Sequence, residues 1–292
     1  MNRIAEARAT LEQVLPVFHR SGHTYREAIV VGNLATIAVS QGELAVARRW
    51  AEEATAQTRA LFDREATVNN LLVQGMIATA VGDWDDGEAA CREALELSRD
   101  VESRTHETDS LVRWAFLELE REDHPRALQL AREADEVSEH AMSGMERGHA
   151  KLVRGYAELA SGHAAVAERA FTAAEEAYQG IELAVGEREA RVGRAAVLLA
   201  GHRVADAVRL VEEALDHLDR DSLVGTLRTT VVLDTCWRVL AAAGDPRADD
   251  VLARAQTLVR EASDTVGDPD MAARFLRVPA NARLLRARPA AR

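Results

Sequence analysis

The chain has 292 residues, 47% hydrophobic and only 4% aromatic, and its 48 acidic and 36 basic residues give a formal net charge of −12. This acidic balance disfavours direct nucleic-acid binding by the chain as a whole, because phosphate recognition needs a basic face. No apolar run approaches the roughly 20 residues of a membrane span, and the N-terminus lacks the apolar core of a secretory signal. We therefore expect a cytoplasmic protein, in which Cys91 and Cys236 are small core residues.

Residues 2–20 are predicted to form one amphipathic helix. Its apolar face consists of Ile4, Ala7, Leu11, Val14, Leu15 and Phe18 at helical spacing. The phase of this helix matches the second helix of the later repeats, so it lacks a first helix of its own. Leu11, Val14, Leu15 and Phe18 then leave an uncovered apolar stripe, which predicts an interface at this N-terminal edge. The chain dimerises there, or an earlier repeat of a larger protein covers the stripe, or the helix buries it on residues 24–41 alone.

A pair of small residues seven positions apart recurs every 40 residues. The first member falls at Ala47, Gly87, Ala127, Ala167 and Ala207, and the second at Ala54, Ala94, Ala134, Ala174 and Ala214. A fixed period of this length indicates a repeat array, in which each unit buries its apolar faces on its neighbours.

Each repeat is predicted to be a pair of antiparallel helices. The first helices are predicted at 24–41, 64–81, 104–121, 144–161, 183–200 and 223–243, and the second helices at 43–60, 83–100, 124–141, 163–180, 202–219 and 246–263. The short turn from first to second helix usually contains a glycine, which allows a left-handed helix end. These glycines are Gly42, Gly82, Gly162, Gly201 and Gly244.

The C-terminal segment departs from the repeat. Asp268-Pro269 interrupts the pattern, and after Asp270 the charged residues are all arginines. We expect an array over residues 1–263, then capping helices and a basic tail over residues 264–292. The tail either contacts acidic groups of another protein or is solvated.

The small residues on paired helices resemble the tetratricopeptide repeat (TPR). The match consists of Ala35, Gly75, Ala115, Gly155 and Ala195 on the first helices, together with the paired small residues of the second helices. The period of 40 and the ending FLRVPANARLL are similar to TPR regions at the C-terminal end of bacterial signalling ATPases and LuxR-type transcriptional activators. The resemblance implies an all-α, right-handed TPR-like superhelical solenoid of about six helix pairs, with a leading unpaired helix and a C-terminal cap. It also implies a concave trough that binds a protein segment or an inducer.

Projecting the concave face of such arrays onto this chain gives a candidate partner-binding site. Its residues are Asn33, Asn69, Met76, Asp109, Arg113, Phe116, His149, Tyr156 and Glu189. Met76, Phe116 and Tyr156 are 40 positions apart, so they form either a stripe along the trough or part of the core between helices. The fork of Arg113 suits a carboxylate of a partner, or else pairs with Asp109 one turn away.

The sequence predicts no catalytic, metal or cofactor site. His124, His163 and His202 recur in successive turns, which are too far apart for a shared metal. No phosphate-binding loop, helix-turn-helix or nucleophile elbow is found. We expect a non-enzymatic module for protein or peptide partners in bacterial signalling or transcriptional regulation. The alternative is an inducer-sensing domain that binds a small molecule in the same trough.

Overall fold

The computed structural model describes residues 2–140, 143–217 and 227–288, and these ranges contain helices and no strand. The helices are α1 (Asn2–Ser21), α2 (Thr24–Gln41), α3 (Leu44–Ala60), α4 (Arg64–Val81), α5 (Trp84–Asp100), α6 (Arg104–Arg121), α7 (His124–Ser138), α8 (Gly144–Ala160), α9 (Ala164–Gln179), α10 (Ala184–Ala200), α11 (Val204–Leu215), α12 (Thr229–Ala243), α13 (Ala248–Thr265), α14 (Pro269–Phe275) and α15 (Pro279–Arg286). The predicted all-α solenoid of helix pairs is confirmed. The first helix predicted at 223–243 begins outside these ranges, and so does the end of the basic tail.

Small residues bring neighbouring helices into close contact, both within a repeat and between successive repeats. A Cβ atom on Gly75 of α4 would lie 2.9 Å from the Cys91 sulfur of α5. A Cβ atom on Gly87 of α5 would lie 2.4 Å from a methyl carbon of Leu117 in α6. Both distances are too short for a side chain, so the repeating small residues set the helix spacing.

The turns between first and second helices end in a left-handed residue at a constant period. Gly42, Gly82, Glu122, Gly162 and His202 have φ between 60° and 81°, and they are 40 positions apart. Gly201 lies in the predicted turn, but it is not the left-handed residue. It ends α10 with φ −84°, and His202 takes the left-handed position. The repeat phase, not the glycine, fixes where the chain turns.

In the central repeats, two large aromatic side chains replace small residues of the second helices. Phe171 of α9 is fully buried between Gly155 of α8 and Gly193 of α10. A Cβ atom on either glycine would lie 2.6 Å or less from its ring. Tyr178 lies in the same way between Gly148 and Gly186. Glycines on both neighbouring helices thus make room for each ring.

Ion pairs connect successive repeats on the opposite side from the trough. The carboxylate of Asp135 in α7 accepts from Lys151 Nζ at 2.9 Å and from Arg154, both of α8. In the next repeat Glu175 accepts from Arg191 at 3.1 Å and Arg194 at 2.7 Å.

The C-terminal helices pack against early repeats as well as against the last one. Val266 and Met271 belong to the same core cluster as Ala35, Leu44 and Ile77. The Ala45 backbone N–H donates to the Val266 carbonyl at 2.9 Å. At the turns, Arg274 pairs with Asp83 at 3.0 Å and Arg283 pairs with Glu122. The expected cap therefore closes the superhelix onto α2 to α6.

The closing sequence FLRVPANARLL has a structural role in this packing. The Asn281 amide donates to the Phe275 carbonyl at 2.8 Å, and its oxygen accepts from the Thr230 hydroxyl at 2.7 Å. Leu284 is fully buried against α12 and α13. The asparagine thus fixes α15 relative to α14 and α12.

At the other end of the array, α1 packs against α2. The predicted interface residues Leu11, Val14, Leu15 and Phe18 are half-buried, and Val17 beside them is exposed. Arg8 links α1 to Glu43 at 2.9 Å. The interface role of this edge stays a prediction. Among the described helices, none combines the length and the apolar character that a bilayer crossing requires.

Candidate functional site

The concave face is built from equivalent positions on the first helix of each repeat. Positions separated by four and then three residues share one side of a helix. The set at 29, 33 and 36 in α2 recurs at 69, 73 and 76 in α4 and at 109, 113 and 116 in α6. It recurs again at 149, 153 and 156 in α8 and at 189, 193 and 196 in α10. All nine predicted site residues belong to these sets.

The N-terminal half of this face contains an open cavity of about 370 Å³. Five of the predicted residues line it, together with Ile29, Thr36 and Asn70. These five are Asn33 of α2, Asn69 and Met76 of α4, and Asp109 and Arg113 of α6. The cavity therefore spans three successive repeats and combines amide, carboxyl and guanidinium groups with an apolar floor.

Asn70 is a cavity residue that the sequence analysis missed. It is buried, and its Oδ1 atom would lie only 2.6 Å from a Cβ atom built on Gly32. The position of Gly32 carries Leu72, Val112 and Leu152 in the later repeats. This single glycine in an apolar position was the available sequence signal, because it marks where a side chain from the next helix approaches.

The polar groups at the centre of the trough do not satisfy one another. Among the described residues, the side chains of Asn33, Asn69 and Arg113 make no hydrogen bond, and Arg113 has no ion pair within 4 Å. The alternative in which Arg113 pairs with Asp109 is therefore not seen as an ion pair. These groups are available to a partner, and a half-buried guanidinium favours a negatively charged or carbonyl-bearing one.

Burial dominates the ionisation of the groups around Arg113. Burial raises the pKa of Asp109 to about 6, while Arg113 opposes the change and Glu146 adds to it. Burial and then Arg113 lower the pKa of His149 to about 3, so this imidazole is neutral. One carboxylate oxygen of Glu146 is buried without a hydrogen bond to any described residue. The centre of the trough thus contains titratable groups whose charged forms burial disfavours, and hydrogen bonds added beside them are stronger than in bulk water.

The aromatic residues of the C-terminal half are part of the core. Phe116 and Tyr156 are 6% and 5% exposed, whereas Met76 is half-buried and lines the cavity. The Tyr156 ring lies 6.4 Å from the Phe116 ring and 5.0 Å from the Phe171 ring. Of the two alternatives, the open stripe applies only to Met76, and core packing applies to Phe116 and Tyr156.

A segment of the chain itself covers Tyr156 and Glu189. The backbone N–H groups of Leu227 and Arg228 donate to the Glu189 carboxylate at 2.7 and 2.9 Å. The Arg228 guanidinium lies 4.9 Å from the Tyr156 ring centre and donates to Glu120 at 2.8 Å. Burial raises the pKa of Glu189 to about 7, against the opposing effect of these hydrogen bonds. Nothing in the local sequence around Arg228 signals this contact, because its partners are 39 to 108 residues away.

Comparison with known proteins identifies the fold. No family model matches the chain, and no curated protein sequence matches it. A Rap protein complexed with competence and sporulation factor superposes with a TM-score of 0.64 at 13% identity, over 96% of this chain and 85% of that chain. A tetratricopeptide repeat protein from Parabacteroides merdae gives 0.51 at 15% identity, over 94% and 98%. Aspartyl phosphate phosphatase F from Bacillus subtilis gives 0.53 at 12% identity, over 90% and 73%. The chain is a TPR-like helical repeat array, as its resemblance implied.

Proposed function

We propose that this protein is a non-enzymatic interaction module that binds a segment of a partner protein in the N-terminal half of its concave trough. The observation that carries the proposal is the cavity across α2, α4 and α6, in which Asn33, Asn69 and Arg113 make no hydrogen bond to another described side chain. Unpaired donors and acceptors on three rigid helices suit an extended polypeptide, whose backbone groups recur along its length.

We further propose a regulatory role in bacterial signalling or transcriptional control. The support is one of fold and site together. The superposed Rap protein is complexed with a competence and sporulation factor, and the trough of the present chain offers polar groups at its centre. A cytoplasmic location and a homodimer through Leu11, Val14, Leu15 and Phe18 belong to the same proposal. Light scattering of the full chain and of a chain lacking residues 1–20 tests the dimer. The proposal requires a dimeric mass for the full chain and a monomeric mass for the shortened chain.

Selection from a displayed library of random peptides tests the trough. Arg113→Ala removes the unpaired guanidinium, so we expect the enriched peptides to bind about 10- to 100-fold more weakly to this variant. The matched control is Arg121→Ala on the same helix. Arg121 does not line the cavity, and it forms an ion pair with Glu88 at 3.2 Å. Equal affinity for both variants contradicts the site.

Thermal shift against a metabolite panel separates the small-molecule alternative. A metabolite that raises the melting temperature of the wild type and leaves Arg113→Ala unchanged identifies the cavity as an inducer site. Peptide enrichment without any such metabolite supports the partner-segment function.

A further inference from the structure

The C-terminal half of the trough is occupied by a piece of the protein itself. Leu227 and Arg228 precede α12 and place two consecutive backbone N–H groups on the carboxylate of Glu189, at 2.7 and 2.9 Å. The Tyr156 hydroxyl donates to the same carboxylate at 3.4 Å. Two successive amides on one buried carboxylate is a contact that a turn or a helix start of another polypeptide reproduces, because consecutive N–H groups point to the same side there.

The side chain of Arg228 adds a second point of attachment. Its Nε and Nη2 atoms donate to one oxygen of Glu120 at 2.9 and 2.8 Å. The guanidinium lies over the Tyr156 ring, 4.9 Å from its centre, and the Arg228 side chain is only 9% exposed. A planar cation between an aromatic face and a carboxylate is a specific arrangement, because it uses the fork and the face of the guanidinium together.

One of the groups that hold Arg228, the ring of Tyr156, is kept in place independently of it. Tyr156 packs edge-on against Phe171 at 5.0 Å, and Phe171 is fixed between two glycines. Glu120, Tyr156 and Glu189 lie on α6, α8 and α10, three consecutive first helices. The three residues are therefore positioned by packed helices, and their occupant is supplied from outside those helices.

We propose that this pocket, formed by Glu120, Tyr156 and Glu189, is a second polypeptide-binding subsite that Leu227 and Arg228 occupy reversibly. An incoming partner segment displaces them by presenting a guanidinium and two successive backbone N–H groups. The subsite continues the trough beyond the cavity of the N-terminal half. The inference rests on the proposed function for its ligand, while the local opening of Leu227 and Arg228 is a property of the free chain.

Hydrogen exchange of the full chain tests the local opening of this segment without any ligand. We expect the Leu227 and Arg228 amides to exchange faster than the buried amides of Ala190 and Ala195 in α10, because the segment opens locally. Glu120→Gln removes the charge that holds Arg228, so exchange at both amides rises about tenfold. The matched control is Glu122→Gln, since Glu122 pairs with Arg283 instead and leaves these amides unchanged. The proposal is overturned if, in both the wild type and Glu120→Gln, the Leu227 and Arg228 amides exchange no faster than the Ala190 amide.

Selection of displayed random peptides on Arg228→Ala tests the ligand. The variant frees the Glu120 carboxylate and the Tyr156 face, so arginine-containing peptides are enriched and bind it at least about 10-fold more tightly than the wild type. Adding Glu120→Gln to the variant removes that gain. Enrichment that is equal on wild type and Arg228→Ala, or a gain that survives Glu120→Gln, overturns the subsite. Arg113→Ala tests only the N-terminal cavity. The two sites can therefore be refuted independently of each other.

Discussion

The effect of Gly193→Ala on the free energy of unfolding should change sign when Phe171 is removed. Phe171 is fully buried, and a Cβ atom at position 193 would lie 2.4 Å from its ring. Gly193→Ala in the wild type therefore overpacks the core, at about 1–3 kcal/mol. Alanine also favours helix over glycine by about 1 kcal/mol, which offsets part of that cost. We expect a net loss of about 1 kcal/mol in the free energy of unfolding.

In a Phe171→Ala background the same substitution stabilises. Phe171→Ala alone costs about 3–5 kcal/mol, because it leaves a cavity between α8 and α10. The added methyl group of Gly193→Ala then has room, so only the helix preference of about 1 kcal/mol remains. The coupling energy between the two sites is thus about 1–3 kcal/mol.

Urea denaturation followed by helical circular dichroism measures all four proteins of this cycle. The control is Gly180→Ala, because Gly180 has φ −62° and its Cβ atom would meet its nearest atom at an ordinary 3.5 Å. Its effect should be small and identical in both backgrounds. An equal change for Gly193→Ala with and without Phe171 refutes the account of why glycine occupies this position.

Three further predictions concern single groups. The folded-state pKa of Glu189 is raised from 4.5 to about 7, so its contribution to stability is full below about pH 4.5 and is lost as pH rises through about 7. Relative to Glu189→Gln, the wild type should lose about 3 kcal/mol of unfolding free energy between about pH 4.5 and pH 8 in urea titrations, and a pH-independent difference contradicts the burial of this carboxyl group. Asp135→Ala leaves Lys151 and Arg154 without their shared carboxylate and should cost about 2 kcal/mol. Arg59→Ala, which removes an exposed pair with Glu93, should cost about 0.5 kcal/mol or less, so equal losses would count against the buried network. Phe62 is 91% exposed with φ 56°, so Phe62→Gly relieves backbone strain and should raise thermal stability by about 0.5–1 kcal/mol, whereas a loss would reveal a packing role for the ring.

The repeat period explains why the helices could be predicted so closely from sequence. Helices α2, α4 and α6 begin and end where the pattern of apolar and small residues placed them. The turn at Gly201 shows the same rule from the other side. At that turn the 40-residue phase and not the glycine marks the left-handed residue, which is His202.

The candidate site could be predicted only in part, because helix register gives direction but not depth. Register placed Asn69 and Arg113 on the concave face, where they line the cavity. It equally placed Tyr156 there, but Arg228 lies over its ring and removes it from solvent. Contacts between residues so distant in sequence leave no periodic signal, so the occupation of the C-terminal half and the closure by α14 were not predictable.

The closure by the C-terminal helices changes how the array must assemble. In an open solenoid, folding spreads from any repeat to its neighbour. Here Met271 completes the core that Ala35 and Ile77 begin, more than 190 residues earlier in the chain. During synthesis, the first repeats therefore leave the ribosome with a side that only the last helices can fill. The array should therefore unfold in a single cooperative transition and not repeat by repeat from its ends.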